Sequence, residues 1–263
     1  MTRTVQQLFD LTGKTALVTG GSRGLGLQLA QALGEAGAKI MLSSRKAEDL
    51  EESAATLKAA GIAVDWIAAD CAKEADIRSL ADETIKRFGH VDILVNNAGA
   101  AWGAPAEDHP VEAWDKVMNL NIRGYFILSQ HIAKHSMIAR SSGRIINVAS
   151  IAGLGGNPPE MTTVAYNTSK GAVINFTRAL GCEWGKYNIT VNAICPGFFP
   201  SRMTVGTLKA LGEEKLAAHA PLKRLGDDED LKGLCVLYAS DAGKHITAQW
   251  LAVDGGVSAV TGG

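Results

Sequence analysis

The stretch VAYNTSK, residues 164–170, places a phenol and an ammonium four positions apart among small and polar residues. At helical pitch this spacing sets Tyr166 and Lys170 one turn apart on a single face, where the lysine's charge can act on the phenol. Beside a bound cofactor such a pair does proton chemistry. Without one it is a solvated helix face that carries a tyrosine and a lysine. The rest of the chain decides between these readings.

The elements that must position the pair alternate from end to end. Short β-rich runs, TALVTG (15–20), KIMLSS (39–44), VDWIAAD (64–70), VDILVNNAG (91–99), GRIINVAS (143–150), ITVNAICP (189–196) and WLAVDGG (250–256), are separated by longer helical patterns. Several runs are almost continuously apolar, as strands buried on both faces of a parallel sheet are. LGLQLAQALGEAG and LEESAATLKAAG each end in a glycine suited to a helix C-terminus. The pattern predicts an α/β fold: a single Rossmann-type domain over 1–263, with a doubly wound parallel sheet of about seven strands and helices on both faces. Residues 198–222 break the rhythm with small helical pieces and Gly and Pro punctuation, so a substrate lid is expected at the carboxyl edge of the sheet.

Directly after the first run comes TGGSRGLG, residues 19–26, with Gly20, Gly24 and Gly26 spaced G-x-x-x-G-x-G. A glycine-rich turn between a first strand and a first helix permits close backbone approach to a pyrophosphate, which then faces the helix N-terminus. Ser22, Arg23 and Leu25 belong to the same cofactor-binding loop. The second run ends in LSSRK, with Ser44 and Arg45 where an acidic residue would hold a ribose 2′-hydroxyl. Guanidinium groups suit phosphate oxygens, so Arg45 and Arg23 favour NADP (NADPH) over NAD. The alternative is that both arginines are ordinary surface residues.

With 26 basic and 27 acidic residues in 263, the net charge of −1 gives no electrostatic case for nucleic acid or an anionic membrane. A small-molecule partner is expected. Cys71, Cys182, Cys195 and Cys235 form no CxxC and no metal-ligand spacing, which fits a reduced, cytoplasmic setting. The N-terminal MTRTVQQLFDLTGK lacks the apolar core of a signal peptide, and no run reaches the roughly 18 residues that span a bilayer.

TGGSRGLG, NNAG (96–99), Asn121 in NLNIRG, NVASIAG (147–153), YNTSK (166–170) and CPG (195–197) occur in that order. With them the chain resembles the classical short-chain dehydrogenase/reductase family from about Leu11 to Gly256. The resemblance implies that Tyr166 is the proton donor or acceptor and that Lys170 binds the nicotinamide ribose and lowers the phenol's pKa. A free tyrosine titrates near about 10, too high for a base at neutral pH. Ser150 corresponds to the serine that hydrogen-bonds the substrate oxygen, its bland alternative being a capping serine. Asn121 corresponds to the asparagine whose side chain helps hold a water in the proton relay to the lysine.

For the cofactor, the resemblance assigns Asp70 and Cys71 to the adenine, and Asn97, Ala98 and Gly99 to the loop along the adenosine ribose. Pro196 and Gly197 form the turn beneath the nicotinamide, and Ser201, with Thr204 further on, stands where a threonine usually anchors the carboxamide. No metal is implied. His131 and His135, at helical spacing, lack the glutamate of a metalloprotease motif.

The implied reaction is hydride transfer between the nicotinamide and a ketone or secondary alcohol, with Ser150 and Tyr166 binding the oxygen. 3-Oxoacyl-thioester reduction and NAD-linked sugar-acid or polyol oxidation are the alternatives. A non-catalytic dinucleotide-binding regulatory protein is the remote one. The loop between Ser150 and Tyr166 is longer than the family's usual one, with Asn157 to Met161 as extra wall over the substrate mouth. Trp102, Phe198 and Phe199 are candidates for pocket lining or for packing. The family implies a homotetramer or homodimer, built on the helices around 110–135 and 165–185 and on the C-terminal segment.

Overall fold

Seven strands form one sheet in the order β3-β2-β1-β4-β5-β6-β7, with every neighbouring pair parallel. They are β1 (Thr15–Thr19), β2 (Lys39–Ser44), β3 (Val64–Ala68), β4 (Ile93–Asn96), β5 (Gly143–Val148), β6 (Ile189–Pro196) and β7 (Trp250–Val253). The computed structural model describes residues 2–201, 203–206, 208 and 212–260.

Strand alternation explains why the apolar runs are continuous. Val18, Ile40, Leu42 and Val95 join one cluster, with Leu29 and Leu33 of α2 (Gly24–Glu35), Leu50 and Leu57 of α3 (Ala47–Ala59), and Cys235 and Tyr238 of the helix Lys232–Ala239. Leu17, Met41, Leu94 and Ile145 point the other way. They meet Ile77 and Leu80 of α4 (Glu74–Phe88), Ile127, Leu128 and Ile132 of α6 (Gly124–Ile132), and Leu180 of α7 (Val164–Trp184). Both faces of the sheet are therefore dry, and each fully buried aliphatic side chain contributes about 2 kcal/mol. The expected doubly wound α/β fold is the one observed.

The expected glycine stops are present. Gly37 (φ 105°) and Gly61 (φ 80°) follow α2 and α3 in positive-φ conformations that L side chains rarely adopt. The helical stretch departs from ordinary α geometry twice: the chain makes a π turn between α5 (Val111–Met118) and α6, at Asn119–Arg123, and another directly after α6, at Ala133–Met137. Gly124 ends the first turn where a Cβ would lie 2.4 Å from the carbonyl oxygen of Cys71, so the helix approaches the loop after β3 as only glycine allows.

In the segment expected to be a lid, the described part includes the helix Glu213–His219, and Leu222 N donates to the carbonyl of Gly255 at 3.1 Å. Arg202, Thr207, Lys209, Ala210 and Leu211 of that segment lie outside the described residues.

Candidate active site

β1 leads to β2 on one side, and β4 then pairs with β1 on the other, so the strand order reverses above the carboxyl ends of β1 and β4. Such a switch point leaves a crevice for a ligand. The glycine loop lies on one lip, with Gly20 at φ 64° and Gly24 at φ 52°. The loop after β4 is fastened to it: Asn97 Nδ2 donates to the carbonyls of Thr19 (2.9 Å) and Gly20 (3.2 Å). The backbone amides of Asn97 and Ala98 donate to Thr19 Oγ1 at 3.0 and 3.1 Å. Asn97, expected along the cofactor's ribose, thus has a side chain committed to holding the two lips together.

Gly26 sits at the tightest point, where a Cβ would lie 2.2 Å from the carbonyl oxygen of Gly20 and 2.4 Å from Asn97 Nδ2. Because the obstacle is backbone, Gly26→Ala must open the loop. Its expected result is a loss of dinucleotide binding by tenfold or more, read by cofactor fluorescence titration, since the loop's donors must meet the pyrophosphate together.

The end of β2 is polar. The Ser44 hydroxyl has no hydrogen-bond partner among the described residues. Arg45 is exposed and forms no ion pair among the described residues, whereas Arg23 Nη1 meets Asp49 Oδ2 at 3.0 Å. After β3, Asp70 Oδ1 accepts from Ala72 N at 3.1 Å. Burial pushes the Cys71 thiol up to about 12, so it is inert as a nucleophile. The glycine cradle, the Ser44 hydroxyl without a partner and the Arg45 guanidinium without an ion pair among the described residues fit a dinucleotide cofactor.

The four residues expected to do chemistry converge where β5 ends. Lys170 is buried, and its Nζ donates to the carbonyl of Val148, the last residue of β5, at 2.7 Å. It stands 5.7 Å from the ring centroid of Tyr166 and 5.7 Å from that of Tyr125. Ser150 follows β5 and accepts from Ala152 N at 3.1 Å, so it does cap the short turn Ile151–Gly153. That turn packs directly on α7, since a Cβ on Gly153 would lie 2.5 Å from the carbonyl carbon of Lys170. The cap and the reactive position are one arrangement, with the Ser150 hydroxyl also beside the Tyr166 phenol.

Burial dominates the electrostatics of the pair. It pushes the Tyr166 phenol up, opposed only by the Ser150 hydrogen bond, and pushes Lys170 down to about 8. Desolvation is the largest influence on each group, because both lie in the low-dielectric interior.

The Asn121 amide is engaged at both ends. Its Nδ2 donates to the carbonyl of Ala100 (2.9 Å) and to Ser169 Oγ (2.9 Å), and its Oδ1 accepts from Ala100 N (2.8 Å). Both amide hydrogens are spent, so a relay water must be met by an oxygen rather than by those donors. The π turn carries Asn121 into the site, and a Cβ on Gly99 would lie 3.3 Å from Asn121 Oδ1 and 3.7 Å from Lys170 Nζ.

Two residues had not been singled out. Ser169 links Asn121 to α7, donating to the carbonyl of Tyr166 at 2.7 Å. Tyr125 donates its hydroxyl to the same Val148 carbonyl as Lys170, at 3.3 Å. Ser169 had a legible signal, the inward side of the YNTSK helical turn. Tyr125 had none beyond an apolar helix.

At the far end Pro196 closes β6, and Gly197 N donates to the carbonyl of Val253 at 2.9 Å, with no space for a Cβ beside Asp254. Ser201 and Thr204 are one cluster rather than alternatives: their hydroxyls are 3.0 Å apart, and Ser201 N donates to Thr204 Oγ1 at 2.9 Å. A Cβ on Gly24 would lie 3.8 Å from that of Ser201, so this cluster faces the glycine loop. Phe199 is 3% exposed and belongs to the core, while Trp102 is 42% exposed.

The long loop before α7 is fastened down. Asn157 Nδ2 donates to Thr163 Oγ1 (2.9 Å) and Asn167 Oδ1 (3.1 Å), and Ala104 N donates to the carbonyl of Thr162 (2.9 Å). His131 Nε2 meets Asp82 at 2.6 Å and Nδ1 meets Arg78 at 3.3 Å. Among the described residues no group of three or more His, Cys, Asp or Glu could hold a metal ion. No helix among them is long and apolar enough to cross a membrane.

A family model described as short chain dehydrogenase matches residues 14–211. The 3-oxoacyl-acyl-carrier-protein reductase of rhamnolipids biosynthesis from Pseudomonas aeruginosa is 40% identical over 254 residues, covering 94% of this chain and 97% of its own. Gluconate 5-dehydrogenase of Gluconobacter oxydans is 34% identical over 255 residues, covering 95% and 97%. The crystal structure of a gluconate 5-dehydrogenase from Burkholderia cenocepacia J2315 in complex with NADP and tartrate superposes with a TM-score of 0.92 at 35% identity, covering 98% of this chain and 100% of that one.

Proposed function

The chain belongs to the short-chain dehydrogenase family, and from that premise we propose that it is an NADP-dependent oxidoreductase acting on a ketone or its secondary alcohol. The observation that carries the reading is the convergence of Ser150, Tyr166, Lys170 and Asn121 beside a glycine loop, with Lys170 Nζ held 2.7 Å from the Val148 carbonyl. When bound, the dinucleotide supplies or accepts the hydride.

The chain's own residues manage the oxygen and its proton. The Ser150 and Tyr166 hydroxyls hold the carbonyl oxygen and stabilise the charge that develops on it. A phenol kept protonated by burial is the acid for reduction, and Lys170, close to neutral-pH titration, is the group that restores its proton. Asn121 and Ser169 set the register between the turn after β4 and the catalytic helix. The pinned loop from Gly155 to Thr163 forms a fixed wall that selects substrate shape.

Arg45, Ser44 and Arg23 support the choice of NADP. A free ketone of modest size is the first reading of the substrate. A 3-oxoacyl thioester is the second, favoured by the likeness to a reductase of that class. The test is NADPH oxidation against small and aryl ketones, 3-oxoacyl thioesters and keto-sugar acids, with NADH in parallel. Turnover of one class with NADPH preferred is expected. Equal use of NADH would remove the cofactor assignment, and cofactor binding with no turnover in any lane would favour a non-catalytic dinucleotide-binding protein.

The chain also has surfaces for a homotetramer or homodimer. Phe126 is 46% exposed on α6, edge-on to Phe176 of α7 at 6.5 Å, and edge strand β7 exposes Trp250 and Leu251. Native mass spectrometry is expected to show a multiple of the 27.6 kDa chain, and a monomer alone would contradict it.

A further inference from the structure

Of the two arginines at the proposed 2′-phosphate seat, one is already paired. Arg23 Nη1 donates to Asp49 Oδ2 at 3.0 Å, while Arg45 forms no ion pair among the described residues. Asp49 lies in the first turn of α3, which begins directly after Ser44, Arg45 and Lys46. The pairing is held by the backbone around it: the Ser53 hydroxyl is shared between the carbonyl of Ser22 (2.6 Å) and that of Asp49 (2.8 Å). This ties α3 to the glycine loop and fixes the distance between the two charged residues. Close by, the Ser44 hydroxyl is buried with no partner among the described residues.

We propose that Asp49 is an internal competitor for the 2′-phosphate, a carboxylate resting on Arg23 that sets how strongly the protein discriminates NADP from NAD. The proposal rests on the reading of this seat as a 2′-phosphate site and names a residue that weakens it. A phosphate entering the seat meets Arg45 and the Ser44 hydroxyl, but must either displace the Asp49 carboxylate from Arg23 or share the guanidinium with it. Sharing is geometrically possible because a guanidinium has five donors, yet the carboxylate stays close and repels the phosphate. An unphosphorylated ribose carries no charge for Asp49 to repel. Asp49 therefore acts on one cofactor and not on the other.

The arginine side chain is 47% exposed and the aspartate 29%, so solvent screens the pair. Removing the competitor is expected to tighten binding of the phosphorylated ligand by about two- to fivefold, the equivalent of one exposed ion pair. The effect shrinks as salt rises.

Calorimetric binding of 2′,5′-ADP and 5′-AMP to the wild type, Asp49→Asn, Arg23→Ala and the double variant tests this without turnover. The expected pattern is tighter 2′,5′-ADP and unchanged 5′-AMP in Asp49→Asn, with a smaller gain when Arg23 is also replaced, since only the direct repulsion then remains. Weaker or unchanged 2′,5′-ADP binding in Asp49→Asn, or an equal gain for both ligands, would overturn the proposal while leaving the NADP reading intact. Equal affinity of the wild type for both ligands would instead remove the 2′-phosphate seat, and the proposal with it.

Discussion

Tyr166→Phe is expected to lower kcat by about 10²- to 10⁴-fold, the range spanned by a single general acid or base. The substitution removes one hydroxyl and leaves the ring beside Lys170, so folding and NADPH affinity are expected to stay near wild type. A loss confined to KM would contradict the role, because a phenol that merely binds substrate acts equally on ground and transition states. The direction of the pH dependence follows from the raised phenol pKa. Reduction needs the protonated phenol and the Lys170 ammonium that restores its proton, so it is sustained through neutral pH and falls as Lys170 and then the phenol lose their protons. Oxidation needs the phenolate and rises with pH over the same range.

Lys170→Met carries the second large effect, and it has opposite signs for activity and stability. Activity falls by about 10²-fold or more, because the phenol loses the ammonium that restores its proton. Stability at neutral pH rises. Burial holds the folded-state pKa of Lys170 at about 8 against an ordinary 10.5. Between these values the unfolded chain binds the proton that the folded chain has released, so stability increases with pH across that window. Below about 8 the lysine is charged in both states and its desolvation cost, on the order of 3 kcal/mol, is fully present. Methionine has a similar length and no charge. The Val148 carbonyl keeps the Tyr125 hydroxyl as a partner when the ammonium is removed. Urea unfolding of both proteins at pH 7 and pH 10 is expected to show the variant ahead at pH 7, with the gap closing at pH 10. An equal gap at both pH values would mean that the lysine's burial does not govern its titration.

The parts of this molecule that were legible in the chain depend on local rules. Continuous apolar runs reported strands covered on both faces, and Gly37 and Gly61 marked helix ends because their positive φ values need glycine. The glycine loop and the YNTSK turn were legible for the same reason, since backbone approach and helical pitch are set within a few residues.

What was missed depends on contacts between distant segments. No periodicity announces that residues 119–123 form a π turn, because the cause includes the approach of Gly124 to the carbonyl of Cys71, far away in sequence. The double use of the Val148 carbonyl joins α6, β5 and α7. Asp49 gave no sign of holding Arg23, since the two meet only after α2 and β2 have folded. Phe199 was open to either pocket or core, and packing against the helix Lys232–Ala239 and its neighbours places it in the core.

The most direct test of the central claim, hydride transfer to a carbonyl carbon with Tyr166 supplying the proton, is the fate of deuterium. The ketone found in the panel would be reduced with NADPH deuterated at nicotinamide C4, once on each face, and the alcohol read by mass spectrometry and NMR. Deuterium from one face, bonded to the carbinol carbon, with none entering that carbon from heavy water, is the predicted result. Deuterium retained in the oxidised cofactor from both faces, or a carbinol hydrogen drawn from solvent, would contradict it.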